Sequence, residues 1–207
     1  ISRRDFTTRL GAAAAGVAVG SELFTPLAHA GPAVGSRILG ANDRVVCASI
    51  GIRGQGNSLK RGFATLKNVE VKTLCDVDAN LAAERINDKR TIGEAEKKGA
   101  LPFKPTFVQD LRRVMEDKDV DAVIIATPNH WHALATVWAL QNGKHVYVEK
   151  PSTYTVWEGR NMVQAANHYR KIVQVGTMNR SRPAVRQAIE FLHKGGIGKI
   201  HTARGLC

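Results

Sequence analysis

The sequence predicts an α/β protein built on a parallel sheet, and three observations carry that expectation. From Arg44 onward, short β-branched runs alternate with helical stretches, the chain order that βαβ units require. The run Val123-Ile124-Ile125-Ala126 is apolar without interruption, as a strand buried on both faces must be. The composition is globular, with 43% hydrophobic and 23% charged residues.

Residues 1–30 stand outside that alternation. They open Ser2-Arg3-Arg4-Asp5-Phe6, continue through an apolar stretch from Leu10 to Gly20, and end Ala28-His29-Ala30. A charged start, a short apolar run and a small-x-small site are the parts of a bacterial export signal. The paired arginines before Phe6 match its twin-arginine form, which a receptor reads rather than the bilayer. Gly11, Gly16 and Gly20 interrupt the stretch, and it lacks the polar face of an amphipathic domain helix. The expectation is an exported, periplasmic protein without a membrane anchor once the signal is cleaved. Residues 31–42, rich in Gly, Ala and Ser, read as a linker.

The mature elements follow in order. Val45–Ile50 is the first strand, Ser58–Leu66 a helix and Val69–Leu74 the second strand. A long polar helix is expected over Ala79–Lys98, with a short strand in the Pro-broken segment Leu101–Phe107. Gln109–Glu116 reads as helix, Asp121–Ala126 as strand, Trp131–Gln141 as helix and His145–Val148 as strand. Val156–His168 is helical, Ile172–Val175 a strand and Pro183–Lys194 a helix. Cys47 and Cys75 fall on neighbouring strands and read as buried thiols acting as small hydrophobes.

Between the first strand and first helix lies Gly51-Ile52-Arg53-Gly54-Gln55-Gly56. A dinucleotide-binding turn needs one Gly to leave the strand sharply and another where helix meets sheet. The helix N-terminus then presents N–H groups to a pyrophosphate. Gly51 and Gly56 take the outer positions of G-x-G-x-x-G, Arg53 replaces the middle Gly, and Gly54 follows it. Asp76 ends the second strand 20 residues after Gly56, the spacing of an acid that accepts the adenosine ribose hydroxyls. It would repel a 2′-phosphate, so NAD is expected over NADP. Asp78 reads as a helix cap.

Charge and composition exclude several classes. The chain has 30 Lys and Arg against 18 Asp and Glu, a formal +12. Removing the signal leaves +11, of which +7 falls in residues 151–207. Aromatics are 6% and do not interleave with the basic residues, so a single-strand nucleic-acid platform is not expected. Three cysteines make no disulfide framework, and no run of about 18 apolar residues suits a membrane helix.

Two strand ends carry unusual polar groups: Thr127-Pro128-Asn129-His130-Trp131-His132 and Glu149-Lys150-Pro151. Ligands of open α/β sheets bind outside the carboxyl ends of strands, where both clusters fall. His130 and His132, two apart on a helix, point to different sides and chelate poorly, so no metal is expected. Lys150, desolvated in the crevice, would exchange a proton with a substrate hydroxyl.

These stretches, with Asn42-Asp43-Arg44-Val45, Cys75-Asp76-Val77-Asp78, Gln174-Val175-Gly176-Thr177 and Gly196-Ile197-Gly198-Lys199-Ile200, resemble the Gfo/Idh/MocA family of NAD(P)-dependent oxidoreductases. The resemblance covers about residues 42–200. It implies a Rossmann-type doubly wound parallel sheet over 43–150. A bridging segment and the start of a second α/β, open-sheet domain would occupy 151–207, with most of that domain missing. It implies that Lys150 contacts substrate and nicotinamide ribose and assists proton transfer. His132 would share the catalytic pocket, with Thr127, Asn129 and Glu149 lining the cofactor site. Thr177 and Arg180 would edge the substrate, although Met178 and Asn179 depart from the family's usual Gln and Arg. A catalytic Asp and His of the second domain have no candidates in this chain.

The expected activity is hydride transfer between bound NAD and a hydroxyl-bearing carbon of a sugar or cyclitol. The protein would act as a homo-oligomer through the second domain, with a tightly held, internally recycled cofactor. An alternative from the same family is an NAD-dependent glycoside hydrolase using transient oxidation. Those members tend to lack the Lys of Glu-Lys-Pro, so Lys150 favours the dehydrogenase. A non-catalytic nucleotide-binding module is the alternative of another class.

Overall fold

The computed structural model describes residues 44–205, so the segments read as an export signal and a linker, and Cys207, lie outside the described residues. A six-stranded, all-parallel sheet forms the centre. Its strands are β1 (Val45–Ile50), β2 (Val69–Cys75), β3 (Thr106–Val108), β4 (Ala122–Ile125), β5 (His145–Glu149) and β6 (Val173–Gly176), in the order β3-β2-β1-β4-β5-β6. The crossovers run outward from β1 to one edge, return to β4, then run to the other edge. This is the doubly wound arrangement that the alternating sequence predicts. It leaves a switch point between β1 and β4, where the connections diverge to opposite edges and open a crevice.

Six of the helices flank the sheet or its ends: α1 (Gly54–Ala64), α2 (Ala82–Ile86), α3 (Lys89–Lys97), α4 (Leu111–Glu116), α5 (His132–Gln141) and α6 (Val156–Tyr169). The larger core gathers Val46, Ala48, Ile50, Val123, Ile125, Val146 and Val148 against Ala135, Ala139 and Leu140 of α5 and Met162 of α6. A second cluster holds Ile52, Ala64, Val71, Leu74 and Phe103. Helix α6 starts with a capping box in which Thr155 accepts the Glu158 N–H and the Glu158 carboxylate accepts the Thr155 N–H. Cys47 and Cys75 are buried and free, and burial pushes both thiols up to about 12, so they pack as small apolar groups.

Two expectations need correction. The sheet does not stop at Lys150, because β6 pairs along β5 from Val146↔Val173 to Glu149↔Gly176. The cofactor unit therefore runs past position 150 to Gly176. The long helix expected over Ala79–Lys98 is a 3-10 turn (Ala79–Leu81), then α2, then α3. The break falls at Asn87-Asp88, where Asp88 caps α3 by accepting the N–H groups of Arg90 and Thr91. Its other oxygen accepts Lys60 Nζ of α1 at 2.8 Å and the Thr91 hydroxyl at 2.7 Å. Lys60 is fully buried, with Nζ 5.2 Å from the Phe103 ring centroid. A straight helix would carry Asp88 away from this buried cation.

Helix α7 (Pro183–His193) has no buried residue, a feature it shares with the short α2.

Candidate functional site

The glycine turn is set by close contact. Gly51 leaves β1 with φ +78, and a Cβ there would stand 2.7 Å from Ala126 O and 2.9 Å from Thr127 N. A side chain is thus excluded by backbone conformation and by the end of β4 together. Gly56, in the first turn of α1, would place a Cβ 1.9 Å from Gly51 O. Helix and turn can approach this closely only without that carbon. Gly54 has φ +36 with nothing within 4 Å, so its need is conformational.

Arg53 holds the N-cap position of α1 but makes no side-chain cap, and the first turn carries no acid. The helix therefore offers its first N–H groups and the positive end of its dipole to an outside anion. Asp76 is fixed at the same corner: Oδ2 accepts the Ile52 N–H at 3.0 Å and Oδ1 accepts the Asp78 N–H at 3.1 Å. Asp78 also caps the following 3-10 turn through the Asn80 N–H and pairs with the Arg53 guanidinium. That N–H and that cation hold its carboxyl below the usual range.

A cleft of about 920 Å³ opens here, lined among others by Gly51, Arg53, Asp76, Asp110, Thr127 and Trp131. It lies outside the carboxyl ends of β1, β2 and β4, at the switch point. Thr127 Oγ1 is buried with no hydrogen-bond partner among the described residues. An unsatisfied buried hydroxyl beside free helix N–H groups and a fixed carboxylate matches the polar needs of a dinucleotide.

The second cluster divides differently than expected. Lys150 is exposed at the end of β5, so the described residues do not desolvate it. Glu149 is 4% exposed and faces inward, not into the crevice. Its Oε1 lies 3.4 Å from the donor Gln55 Nε2 of α1, and Oε2 accepts the Lys150 N–H at 3.3 Å. Tyr147, two residues earlier on the same strand face, packs edge-on to Phe63 of α1. Burial and the Glu149 charge push its phenol up. A Cβ on Gly176 would come within 2.5 Å of Glu149 Oε1 and 2.8 Å of the Tyr147 hydroxyl, so a larger residue there would displace both side-chain ends.

His132 likewise points inward. It is 2% exposed, with Nδ1 2.6 Å from Pro151 O and Nε2 2.8 Å from Thr127 O. It ties the loop after β4 to the loop after Lys150. Its ring thus lies between two main-chain carbonyls and is not among the residues that line the cleft. Asn129 begins the 3-10 turn Asn129–Trp131, half-buried. Thr177 is exposed just beyond β6, at the strand end adjacent to that of Lys150, and Arg180 is exposed in the 3-10 turn that follows. Met178 Sδ lies 3.6 Å from Gln55 Nε2, joining that segment to α1.

Gln55, Tyr147 and the Asp110–Arg112 pair were not singled out by sequence. Gln55 sits inside the glycine motif as an unspecified position, and the pleat that turns Tyr147 toward α1 emerges only with the sheet.

Fold and cleft together define an NAD-binding Rossmann domain of an oxidoreductase. A family model agrees: residues 46–177 match the oxidoreductase family with NAD-binding Rossmann fold, and the chain belongs to this Gfo/Idh/MocA family. It is 30% identical, over 99% of its length and 47% of the relative's, to a glycosyl hydrolase family 109 protein of Shewanella pealeana. It is 38% identical over 96 residues, 46% of the chain, to 25% of the levoglucosan dehydrogenase of Pseudarthrobacter phenanthrenivorans. Among solved structures, myo-inositol 2-dehydrogenase of Lactobacillus plantarum superposes with a TM-score of 0.63 at 24% identity, covering 76% of this chain and 43% of that one. The chain thus spans about half the length of the first curated relative.

Proposed function

We propose that the whole protein oxidises or reduces a hydroxyl-bearing carbon of a sugar, cyclitol or related carbohydrate with NAD. The observation that carries this reading is Lys150 at the end of β5, its loop pinned by His132 and its main-chain N–H held by Glu149. When bound, NAD supplies the hydride chemistry. The turn from Gly51 to Gly56 would hold the pyrophosphate, Asp76 the adenosine ribose, and Lys150 the proton of the substrate hydroxyl. Thr177, at the strand end adjacent to Lys150, and Arg180 in the turn after it would meet the substrate. Relatives named for levoglucosan and inositol support a polyhydroxylated substrate. A panel of free sugars and cyclitols tests it. Stoichiometric NADH formation with one of them is the expected result, and none across the panel would overturn it.

One observation favours a second reading. The relative aligned over 99% of the chain is named as a glycoside hydrolase. Release of nitrophenol from aryl glycosides without net NADH would establish that activity in place of the first.

Export by the twin-arginine route is the reading of Arg3 and Arg4. It suits a protein that must carry its nucleotide across folded. Replacing both arginines with lysine should leave the protein in the cytoplasm on cell fractionation. Unchanged export would refute this route. Assembly into a homo-oligomer is proposed through the part of the protein beyond this chain.

A further inference from the structure

The cofactor cleft has an unusual arrangement of charge. Its described lining contains three carboxylates, Asp76, Asp78 and Asp110, and two guanidiniums, Arg53 and Arg112. Both cations are already engaged. Arg53 pairs with Asp78. Arg112 makes a forked contact with Asp110, Nη2 to Oδ2 at 2.7 Å and Nε to Oδ1 and Oδ2 at 3.0 Å each. That contact holds the Asp110 carboxyl down at about 2, so it is ionised at any working pH. Asp76, by contrast, is held by main-chain N–H groups, with its charge left facing the cleft.

We propose that Asp78 and Asp110 are selectivity residues: by occupying Arg53 and Arg112 they deny a 2′-phosphorylated cofactor the cations that would bind it. The inference rests on the cleft being the nucleotide site. An arginine fork is the group best suited to a phosphate, and an arginine beside the ribose is what accommodates a 2′-phosphate. Two such groups stand in this cleft, so the single acid Asp76 would not by itself secure NAD. Repulsion by Asp76 acts on the phosphate directly, whereas Asp78 and Asp110 remove its attractive partners. Both acids also cap local turns, Asp78 through Asn80 and Asp110 through the Arg112 N–H. Asp78 caps through Oδ1 and holds Arg53 through Oδ2, so asparagine keeps the capping oxygen while releasing the arginine, which makes Asp78→Asn the clean probe.

The test titrates the full chain with NADH and with NADPH at one low ionic strength, reading nucleotide fluorescence. Asp76→Ser alone should weaken NADH about tenfold and improve NADPH little. Adding Asp78→Asn should tighten NADPH about tenfold more, as Arg53 becomes free to pair with the 2′-phosphate. Adding Arg53→Gln to that double variant should remove the gain, weakening NADPH more than NADH. Asp78→Asn in the otherwise unchanged protein should raise the NADPH-to-NADH affinity ratio in the same direction, a check that needs no change at Asp76. Thermal midpoints within a few degrees of the parent certify that each variant is folded. If NADH still binds but Asp78→Asn leaves the ratio unmoved in both backgrounds, or if the gain survives Arg53→Gln, the selectivity role is wrong. If the unaltered protein binds neither nucleotide, the cofactor site itself fails and the proposal falls with it.

Discussion

Lys150→Ala, made in the full chain, is expected to lower kcat by about 10²–10⁴-fold, the range typical of losing a positioned proton-transfer group. The Kd for NADH should change by less than about tenfold, because at most one hydrogen bond to the nucleotide is lost. The two numbers separate because the lysine stands apart from the groups that hold the dinucleotide. Those are, on the proposed reading, the turn from Gly51 to Gly56, the N-terminus of α1, and Asp76. Lys150 sits at the end of β5, exposed, with its N–H accepted by Glu149 and the following carbonyl, that of Pro151, against His132. Lys150→Arg sharpens the test. Arginine preserves the charge and a comparable reach but does not release a proton at neutral pH, so NADH affinity should be retained and turnover still lost. Full turnover in either variant would remove Lys150 from the reaction. A parallel collapse of NADH binding would assign it to cofactor retention instead.

How far the sequence revealed this site depends on which residues act locally. The glycines were legible because their need is steric and near in sequence: Gly56 meets Gly51, five residues away. Asp76 was legible because a strand tip at fixed spacing from the turn places it, and the acid is indeed hydrogen-bonded to that turn through Ile52. Glu149 and His132 read as crevice residues because they are polar and adjoin strand ends, yet both turn inward. What decides this is the pleat of β5, which puts Glu149 on the face of Tyr147 and α1, and the 3-10 turn that swings His132 beneath the loop. Neither shows in composition or spacing.

The fold was legible for a related reason. Alternating apolar runs and helical stretches specify βαβ units, and the near-universal right-handed crossover narrows how they can join. A short strand was expected over Leu101–Phe107, and β3 forms at the end of that segment, after Pro102 and Pro105. The split of the helix after β2 was hidden, because apolar periodicity runs through Asn87-Asp88 and the reason for stopping there is a cation 28 residues earlier on α1.

That cation sets the largest stability effect expected in the fold. Asp88→Ala should cost about 3–5 kcal/mol in denaturant unfolding, since it leaves a buried ammonium without its counter-charge. Lys60 is buried and cannot turn to water: among the described residues its one other acceptor is the Arg85 carbonyl at 3.5 Å, a marginal hydrogen bond. The same substitution strips the cap from α3 and a partner from Arg61. Lys60→Met should cost far less, within about 1 kcal/mol, because an apolar side chain of similar length suits the space beside Phe103 and Asp88 keeps Arg61, Thr91 and its cap. The asymmetry is the point: a salt bridge valued for net energy would make both losses alike, whereas a buried charge that must be matched makes only one of them severe. The pH dependence has a definite sign. Burial opposes ionisation of Asp88, but hydrogen bonds from Lys60 and Thr91 outweigh it and hold the carboxyl well below the ordinary value. A carboxyl depressed in the folded state adds stability that is complete above its unfolded value, near about 4, and drains away as pH falls toward the folded one. The parent should therefore lose stability in acid more steeply than Asp88→Ala, and the two curves should converge there. Equal costs for Asp88→Ala and Lys60→Met at neutral pH, or parallel acid curves, would mean that this pair does not hold α3 against α1.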